Sequence, residues 1–276
     1  MNLRGKVEIV CQTDVGQVRD HNEDYVSSDD RIGLAVLADG MGGLNAGEVA
    51  SSMSVHLLMD ELRAYAAGES TLEQQLAEGD DMPNQSQIVA RAIEKANSSV
   101  FHVSQTQPHC EGMGTTIAVS MFYDNKVTIG HIGDSRVYRF RDNKLEQITK
   151  DHSFVQELID KGLYTKDEAR ASSKKHVVTR ALGVAPKVVP EVHEYKVKQG
   201  DLFLMCSDGL TDLVGDSDIE KTFRELGSNL SVTAGHLVEV ANASGGKDNI
   251  SVVLIRINKA FPEKAGLLKR FVDWFE

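Results

Sequence analysis

Apolar residues recur along the chain in short runs with β-branched members, the pattern of covered β-strands. Asp124-Asn125 and Asp142-Asn143 separate neighbouring runs and favour the tight turns of antiparallel hairpins. The pattern therefore predicts antiparallel sheets. The predicted strands are KVEIVCQT, EDYVSS, RIGLAVLA, GTTIAVSMFY, KVTIGHIG, SRVYRFR, KLEQIT, DLFLMCS and NISVVLIRI.

Two longer blocks carry apolar residues at helical spacing instead. They run from Gly47 to Ala66 and from Gln87 to Ser104, and each predicts a long amphipathic helix. Shorter helices are predicted at Ser217–Leu226 and Val232–Ala243. Hairpins combined with one-faced helices predict an α+β fold. We expect a four-layer α-β-β-α sandwich in which helix pairs flank two mainly antiparallel sheets.

Polar segments interrupt this pattern but do not divide the chain, so residues 1–258 are expected to form one domain. Residues 67–86 predict a surface insertion, and the highly charged residues 152–179 predict a small helical subdomain at the sheet edge. The tail, residues 259–276, has amphipathic helical spacing. Packing of this tail on the domain is favoured over a docking or membrane-surface helix.

Composition narrows the function classes. The 276 residues are 41% hydrophobic, enough for a substantial core. A net charge of -11 argues against a nucleic-acid or anionic-membrane partner and suits a protein that gathers cations. Cys11, Cys110 and Cys206 form no C-x-x-C pair, and no apolar run reaches the length of a transmembrane span. We expect a cytoplasmic protein in a reduced compartment, with a monomer favoured.

A second pattern accompanies the predicted strands: aspartates, usually beside Gly or Asn, lie at the end of a strand-like run or just before one. One such residue is usually a turn residue. Several carboxylates at one end of a sheet would repel each other unless cations neutralised them, and oxygen ligands select Mg²⁺ or Mn²⁺. A pair of such ions activates water for attack on phosphorus, so the pattern predicts phosphate ester hydrolysis. The segments are LADGMGG (37–43), NED (22–24), GDSR (133–136), TKDHS (149–153), CSDGL (206–210) and KDN (247–249).

The motifs, taken in order, resemble the protein phosphatase 2C (PPM) family in its bacterial form. They are RDHNEDY, LADGMGG, GTT, GHIGDSRVYR, TKDHS, VVTRALG, CSDGLTD and GGKDNISVVLI, and they extend from Val7 to Ile257. The resemblance implies a β-sandwich with a dinuclear Mn²⁺ or Mg²⁺ centre. It also implies hydrolysis of phosphoserine and phosphothreonine by direct attack of a bridging water. Phosphorylated proteins and a eukaryotic-like Ser/Thr kinase are the implied partners.

The resemblance also implies the ligands of the two core ions. Asp39 matches the carboxylate that bridges the ions, and the carbonyl of Gly40 matches a backbone ligand. Asp208 and Asp248 match ligands of one ion. Asp24 matches the acid that acts on the other ion mainly through bound waters.

Further residues have less direct roles in the resemblance. Asp151 matches a residue that, with Asp208, holds a third and weaker ion. Arg19 matches the arginine that binds the substrate phosphate, although an arginine in a polar loop is more often solvated or ion-paired. Asp134 is expected to bond to backbone or to Arg136. The acids expected to support the ligands without binding the ions are Glu23, Asp134 and Asp212.

The chain departs from animal members of the family at Met41, where those members have a histidine regarded as the general acid. A thioether cannot donate a proton, so a metal-bound water or another histidine is expected to serve, or a loose transition state needs less help. No histidine is assigned to this role. The available ones are His21, His131, His152, His176 and His193.

Other functions fit less well. GMGGLNAG lacks the third glycine and the βαβ unit of a dinucleotide-binding fingerprint. The chain also lacks the Cys-x5-Arg loop of tyrosine phosphatases. A catalytically silent regulator that binds phosphoproteins is the alternative from another class, although it would be expected to lose metal ligands. The same centre would also cleave small phosphoesters.

Overall fold

Two antiparallel sheets form the centre of the computed structural model, which describes residues 2–42, 46–72 and 84–262. The strands are β1 (Val7–Asp14), β2 (Asp24–Asp29), β3 (Leu34–Met41), β4 (Gly114–Thr115), β5 (Ile117–Tyr123), β6 (Lys126–Ile132), β7 (Arg136–Arg141), β8 (Lys144–Gln147), β9 (Glu191–Lys196), β10 (Leu202–Cys206) and β11 (Ile250–Ile257). One sheet has the order β1-β11-β10-β7-β8. The other has the order β2-β3-β5-β6-β9, and β4 pairs with β3.

The described residues form the α-helices α1 (Ala46–Ala67), α2 (Gln85–Thr106), α3 (Phe154–Asp160), α4 (Lys166–Ala171), α5 (Asp208–Thr211), α6 (Asp216–Leu226) and α7 (Leu230–Ala243). Four of them cover the outer faces of the two sheets. α1 and α2 pack on the β2–β9 sheet, and α6 and α7 pack on the β1–β8 sheet. The predicted α+β fold and its four layers are confirmed. In the part of the chain described, no helix is long and apolar enough to cross a membrane.

The sheets are held together by a core of interdigitating side chains. Leu37 and Phe122 from one sheet meet Phe203 and Ile255 from the other, and each is at most 1% exposed. The rings of Phe122 and Phe203 pack edge to face with centroids 5.4 Å apart. Burial of aromatic and aliphatic surface of this kind is the main stabilising contribution, so the two sheets form a rigid platform.

The turn chemistry behaves as the sequence predicts. Asp124 and Asn125 have φ values of 42° and 53°, and Asp142 and Asn143 have φ values of 52° and 59°. Positive φ at both central residues is the conformation of a two-residue hairpin turn, which Asp and Asn tolerate better than most residues. These turns join β5 to β6 and β7 to β8.

One strand lies outside the sequence prediction. β9 pairs with β6 at the edge of its sheet, with Ile129 opposite His193. Its sequence EVHEYK has few apolar residues, and every side chain is half-buried or exposed. Hydrophobic periodicity cannot detect a strand that buries so little surface.

Residues 152–179, which we call the flap segment, contain α3 and α4. The segment is closed at its base by backbone bonds, since Thr179 N–H donates to the His152 carbonyl at 2.8 Å and Phe154 N–H donates to the Val177 carbonyl at 2.8 Å. The predicted 67–86 insertion falls largely on residues 73–83, which lie outside the described part of the chain. The amphipathic part of the predicted tail, residues 263–276, also lies outside it.

Candidate active site

Strand ends bring four of the predicted acids to one end of the sandwich. Asp24 begins β2 and lies directly opposite Asp39 near the end of β3. Asp208 begins α5 immediately beyond β10, and Asp248 lies just before β11, the neighbour of β10. The two sheets therefore contribute carboxylates from opposite sides.

Three of these acids, Asp39, Asp208 and Asp248, line a cavity of about 540 Å³. Its floor and walls come from the end of β3, the Asp134 loop, α5, the Lys247–Asp248 loop and the flap segment. Arg19 and Glu23 line it as well. The predicted residues that reach the cavity are Arg19, Glu23, Asp39, Gly40, Asp134, Asp208, Asp212 and Asp248.

Asp24 lies beneath the cavity and is only 5% exposed. Ser207 Oγ donates to its Oδ2 at 2.7 Å. Its Oδ1 is buried and accepts no hydrogen bond from the described residues. Burial raises the pKa of Asp24 to about 7, with Asp208 and Asp248 adding repulsion. A buried carboxylate oxygen without a donor suits a site whose missing partner is a cation or its water shell.

Asp39 and Asp134 experience the same electrostatic conflict. Burial raises the pKa of Asp39 well above its usual range, and the carboxylates of Asp24 and Asp208 raise it further. Burial, followed by repulsion from Asp208 and Asp151, raises the pKa of Asp134 to about 7. Buried carboxylates that repel each other in this way favour either protons or metal ions.

Gly40 occupies a place where no side chain fits. A Cβ atom there would lie 2.2 Å from the Gly47 carbonyl oxygen and 2.6 Å from that of Glu23. The backbone of β3 therefore passes directly against the start of α1. The Glu23 carboxylate accepts a hydrogen bond from Gly47 N–H, at the end of the helix that favours negative charge.

Arg19 reaches the cavity and is held by an acid. Its Nη2 donates to Asp248 Oδ2 at 2.8 Å, and the arginine side chain remains 50% exposed. The guanidinium has five donors, so this single bond leaves most of them available to a phosphate. The ion pair expected as the alternative and the phosphate-binding role are thus compatible.

The structure places Asp151 differently from the other candidates. Arg136 binds it through Nε, at 3.0 Å from both carboxylate oxygens, and through Nη2, at 2.7 Å from Oδ2. Gln147 donates to it as well. Two partners were expected for Asp134, the backbone and Arg136. The structure shows a backbone hydrogen bond to the Asp134 carboxylate, whereas the Arg136 guanidinium donates its hydrogen bonds to Asp151. Asp134, and not Asp151, reaches the main cavity beside Asp208.

The flap segment contributes Lys175, His176 and Val178 to the cavity. The sequence analysis assigned none of them to the site, although it named His176 among the available histidines. His176 Nδ1 lies 3.3 Å from Asp212 Oδ2 and 3.8 Å from Asp208 Oδ2. The available signal was a basic Lys-Lys-His run in a chain of net charge -11. By contrast, the rings of His131 and His152 stack in the interior at 4.7 Å and do not line the cavity.

The fold and the cluster of carboxylates are those of a hydrolase built around hard divalent cations, because the ligands predicted for the two core ions, Asp39, Gly40, Asp208 and Asp248, offer only oxygen atoms. The protein phosphatase 2C family profile matches residues 12–240. The serine/threonine phosphatase stp of Listeria welshimeri is 34% identical over 250 residues, covering 90% of this chain and 94% of that protein. The chain belongs to the protein phosphatase 2C family.

Solved structures agree with this assignment. The crystal structure of the Mycobacterium tuberculosis serine/threonine phosphatase PstP/Ppp matches with a TM-score of 0.79 at 35% identity, covering 92% of this chain and 99% of that one. The catalytic domain of PstP in complex with two manganese ions matches with a TM-score of 0.77 at 35% identity, with the same coverage of both chains. The resemblance inferred from the ordered motifs is confirmed.

Proposed function

We propose that this protein hydrolyses phosphoserine and phosphothreonine in proteins, using two divalent cations, Mn²⁺ or Mg²⁺. The observation that carries the proposal is the convergence of four carboxylates at one end of the sandwich, where burial raises the pKa values of Asp24 and Asp39 and repulsion from Asp208 and Asp248 raises them further. The manganese-bound PstP relative supports the choice of ion. A catalytically silent regulator is disfavoured, because every predicted carboxylate ligand of the core centre is present. These ligands are Asp24, Asp39, Asp208 and Asp248.

The chain's own residues divide the work between holding the ions and holding the substrate. Asp39, the Gly40 carbonyl, Asp208 and Asp248 would hold the ions, with Asp24 acting from beneath. When bound, such ions lower the pKa of a water and neutralise charge on phosphoryl oxygens. Both carboxylate oxygens of Asp151 accept hydrogen bonds from Arg136, whereas Asp134 lines the cavity with Asp208. Asp134 is therefore the better candidate to share a weaker third ion with Asp208.

Arg19 is proposed to orient the phosphate. Its free N–H donors face the cavity from the side of Asp248, so two phosphate oxygens can be bound in one plane. Phosphoryl transfer depends mainly on positioning and charge neutralisation, which these fixed groups supply. Met41 lines the cavity beside Gly40 and contributes an apolar surface with no proton to donate.

We further propose a cytoplasmic phosphatase that opposes a Ser/Thr kinase and acts as a monomer. The three free cysteines, two of them buried, support a reducing compartment. The relatives stp and PstP/Ppp are serine/threonine phosphatases, which supports the same activity here.

Purified protein is expected to hydrolyse a phosphothreonine peptide and an aryl phosphate only when Mn²⁺ or Mg²⁺ is present. Initial rates with each ion and with a chelator test this, and readdition of the ion should restore activity. Turnover that persisted in chelator would contradict the metal-dependent mechanism. Metal binding without turnover of either substrate would favour the silent regulator.

The metal-free protein is expected to lose stability as pH rises from about 4 to about 7. The pKa of Asp24 is raised from 3.8 to about 7, so the folded state holds a proton that the unfolded chain has released. Each fully linked proton changes the free energy of unfolding by about 1.4 kcal/mol per pH unit. Urea unfolding in chelator should therefore show a lower midpoint at about pH 7.5 than at about pH 5.5.

Asp24→Asn is the matched comparison for this pH dependence. The amide does not titrate, so the variant should lose part of the pH slope and gain stability over the wild type mainly at the higher pH. In wild-type protein, Mn²⁺ should reverse the loss of stability with rising pH, because the ions compete with protons for the carboxylates. At 100 times its Kd, a bound ion stabilises the folded state by about 2.7 kcal/mol. Equal slopes in the two proteins would show that Asp24 is not a titrating group.

A further inference from the structure

The flap segment supplies a second cation, Lys175, to the cavity that Arg19 also lines. Lys175 Nζ lies 2.9 Å from Asp212 Oδ2, and both side chains are 29% exposed. Lys175 lines the main cavity and also a neighbouring one that contains Asp134 and Asp208. Lysine is thus presented to any molecule that fills the space between the flap segment and α5.

The ammonium group has unused hydrogen-bonding capacity. It carries three donors, and among the described residues its one ion-pair partner is Asp212. Asp212 also lies 3.3 Å from His176, so it keeps a partner if Lys175 turns toward a ligand. The neighbouring Lys174 differs, because its Nζ packs over the Phe154 ring at 5.2 Å and the residue does not line either cavity.

The position of Asp212 indicates how far Lys175 lies from the proposed ion site. Its N–H donates to the Asp208 carbonyl at 2.8 Å, so it lies one helical turn beyond a proposed ion ligand. One turn corresponds to about 5.4 Å of rise. An extended peptide advances about 3.3–3.6 Å per residue. A substrate that extends from the ion site toward Asp212 would therefore bring a residue flanking the phosphorylated one close to Lys175, while the phosphate itself would stay with Arg19.

The charge around Lys175 makes this position selective. The cavity walls are rich in carboxylates, which repel an acidic substrate side chain everywhere except beside a cation. We propose that Lys175 is a specificity-determining residue that binds the carboxylate of an acidic residue next to the phosphorylated residue. This inference rests on the phosphatase activity proposed above and deepens it to a substrate class, acidic phosphopeptides.

The test compares phosphothreonine peptides that differ by a single Glu or Gln, placed in turn at each neighbouring position. For wild-type protein, kcat/KM is expected to be about 3- to 5-fold higher for the Glu peptide at one or more positions, the range of a partly exposed ion pair. Lys175→Gln should bring this ratio close to one, mainly through KM. Lys175→Glu should invert it, and the matched control Lys174→Gln should retain it.

Two results would overturn the inference. One is a wild-type enzyme that cleaves Glu and Gln peptides equally while it hydrolyses aryl phosphate normally. The other is a Lys175→Gln variant that keeps the wild-type ratio, or that loses activity equally on both peptides and on aryl phosphate, as a purely structural role of Lys175 would require. Absence of turnover on every substrate with metal bound would instead overturn the proposed phosphatase activity, and this inference with it.

Discussion

Asp39→Asn is expected to lower kcat for metal-dependent hydrolysis on the order of 10³-fold or more, a loss of about 4 kcal/mol of transition-state stabilisation. Asp39 lies opposite Asp24, close enough to Asp208 and Asp248 for all three to raise its pKa. Unlike Asp24, Asp39 also lines the cavity, together with Asp208 and Asp248. An amide oxygen carries no negative charge, so the variant loses the group best placed to serve two ions.

Initial rates over a range of Mn²⁺ concentrations would measure this effect. If Asp39→Asn only weakened ion binding, high Mn²⁺ would restore its kcat. If the variant has lost the charge that bridges the two ions, kcat stays low even when Mn²⁺ is saturating. Asp30→Asn provides the matched control, because Asp30 is exposed beyond the end of β2 and should leave the rate unchanged. The urea midpoint of Asp39→Asn in chelator should equal or exceed that of the wild type, since a buried repulsion has been removed. If Asp39→Asn kept more than about a tenth of wild-type kcat, the proposed role of Asp39 as the carboxylate shared by the two ions would be wrong.

Much of this fold is predictable because its strands and helices bury continuous apolar faces. The segment RIGLAVLA corresponds to β3, in which residues Leu34 to Ala38 are fully buried. The stripe of Val89, Ile93 and Val100 lies on the buried face of α2. The Asp142-Asn143 pair predicts the tight turn that joins β7 to β8. These sequence features are strong predictors because each one follows directly from burial or from backbone conformation.

The positions of the site residues were predictable in part for a different reason. Aspartates at strand ends are forced to one end of a sandwich once the strands pair, as the Asp24–Asp39 register shows. The ion pairs within the site cannot be predicted from such a pattern. Arg136 pairs with Asp151 and not with Asp134 because of the side-chain geometry around β7 and the start of the flap segment. The spacing of these residues along the chain does not determine that geometry.

The flap residues mark the limit of sequence reasoning here. Lys175 and His176 lie in a charged segment without apolar periodicity, so their approach to Asp212 follows from how the flap segment folds back over α5. Such contacts join residues far apart in sequence and bury little apolar surface. They become visible only in three dimensions, and they supply the substrate-side chemistry that the ordered motifs omit.

Gly40→Ala is expected to destabilise the protein by about 3 kcal/mol and to abolish most of the turnover, although it adds one methyl group. That methyl would lie 2.2 Å from the Gly47 carbonyl oxygen and 2.6 Å from the Glu23 carbonyl oxygen, both of which are backbone atoms. Neither can rotate away as a side chain would. The end of β3 and the start of α1 must therefore separate, and this displaces the carbonyl proposed as an ion ligand and the neighbouring Asp39.

Gly235→Ala makes the comparison quantitative, because it adds the same methyl group within α7. A Cβ atom there has Gln12 Oε1 as its nearest neighbour, at 3.7 Å, which is ordinary contact. Alanine in a helix interior should then stabilise the protein by about 0.5–1 kcal/mol and leave turnover unchanged. Urea midpoints of the two variants should thus move in opposite directions from the wild type. Equal midpoints would mean that the approach of β3 to α1 is loose, and that the backbone at Gly40 has room to hold the ions without this close packing.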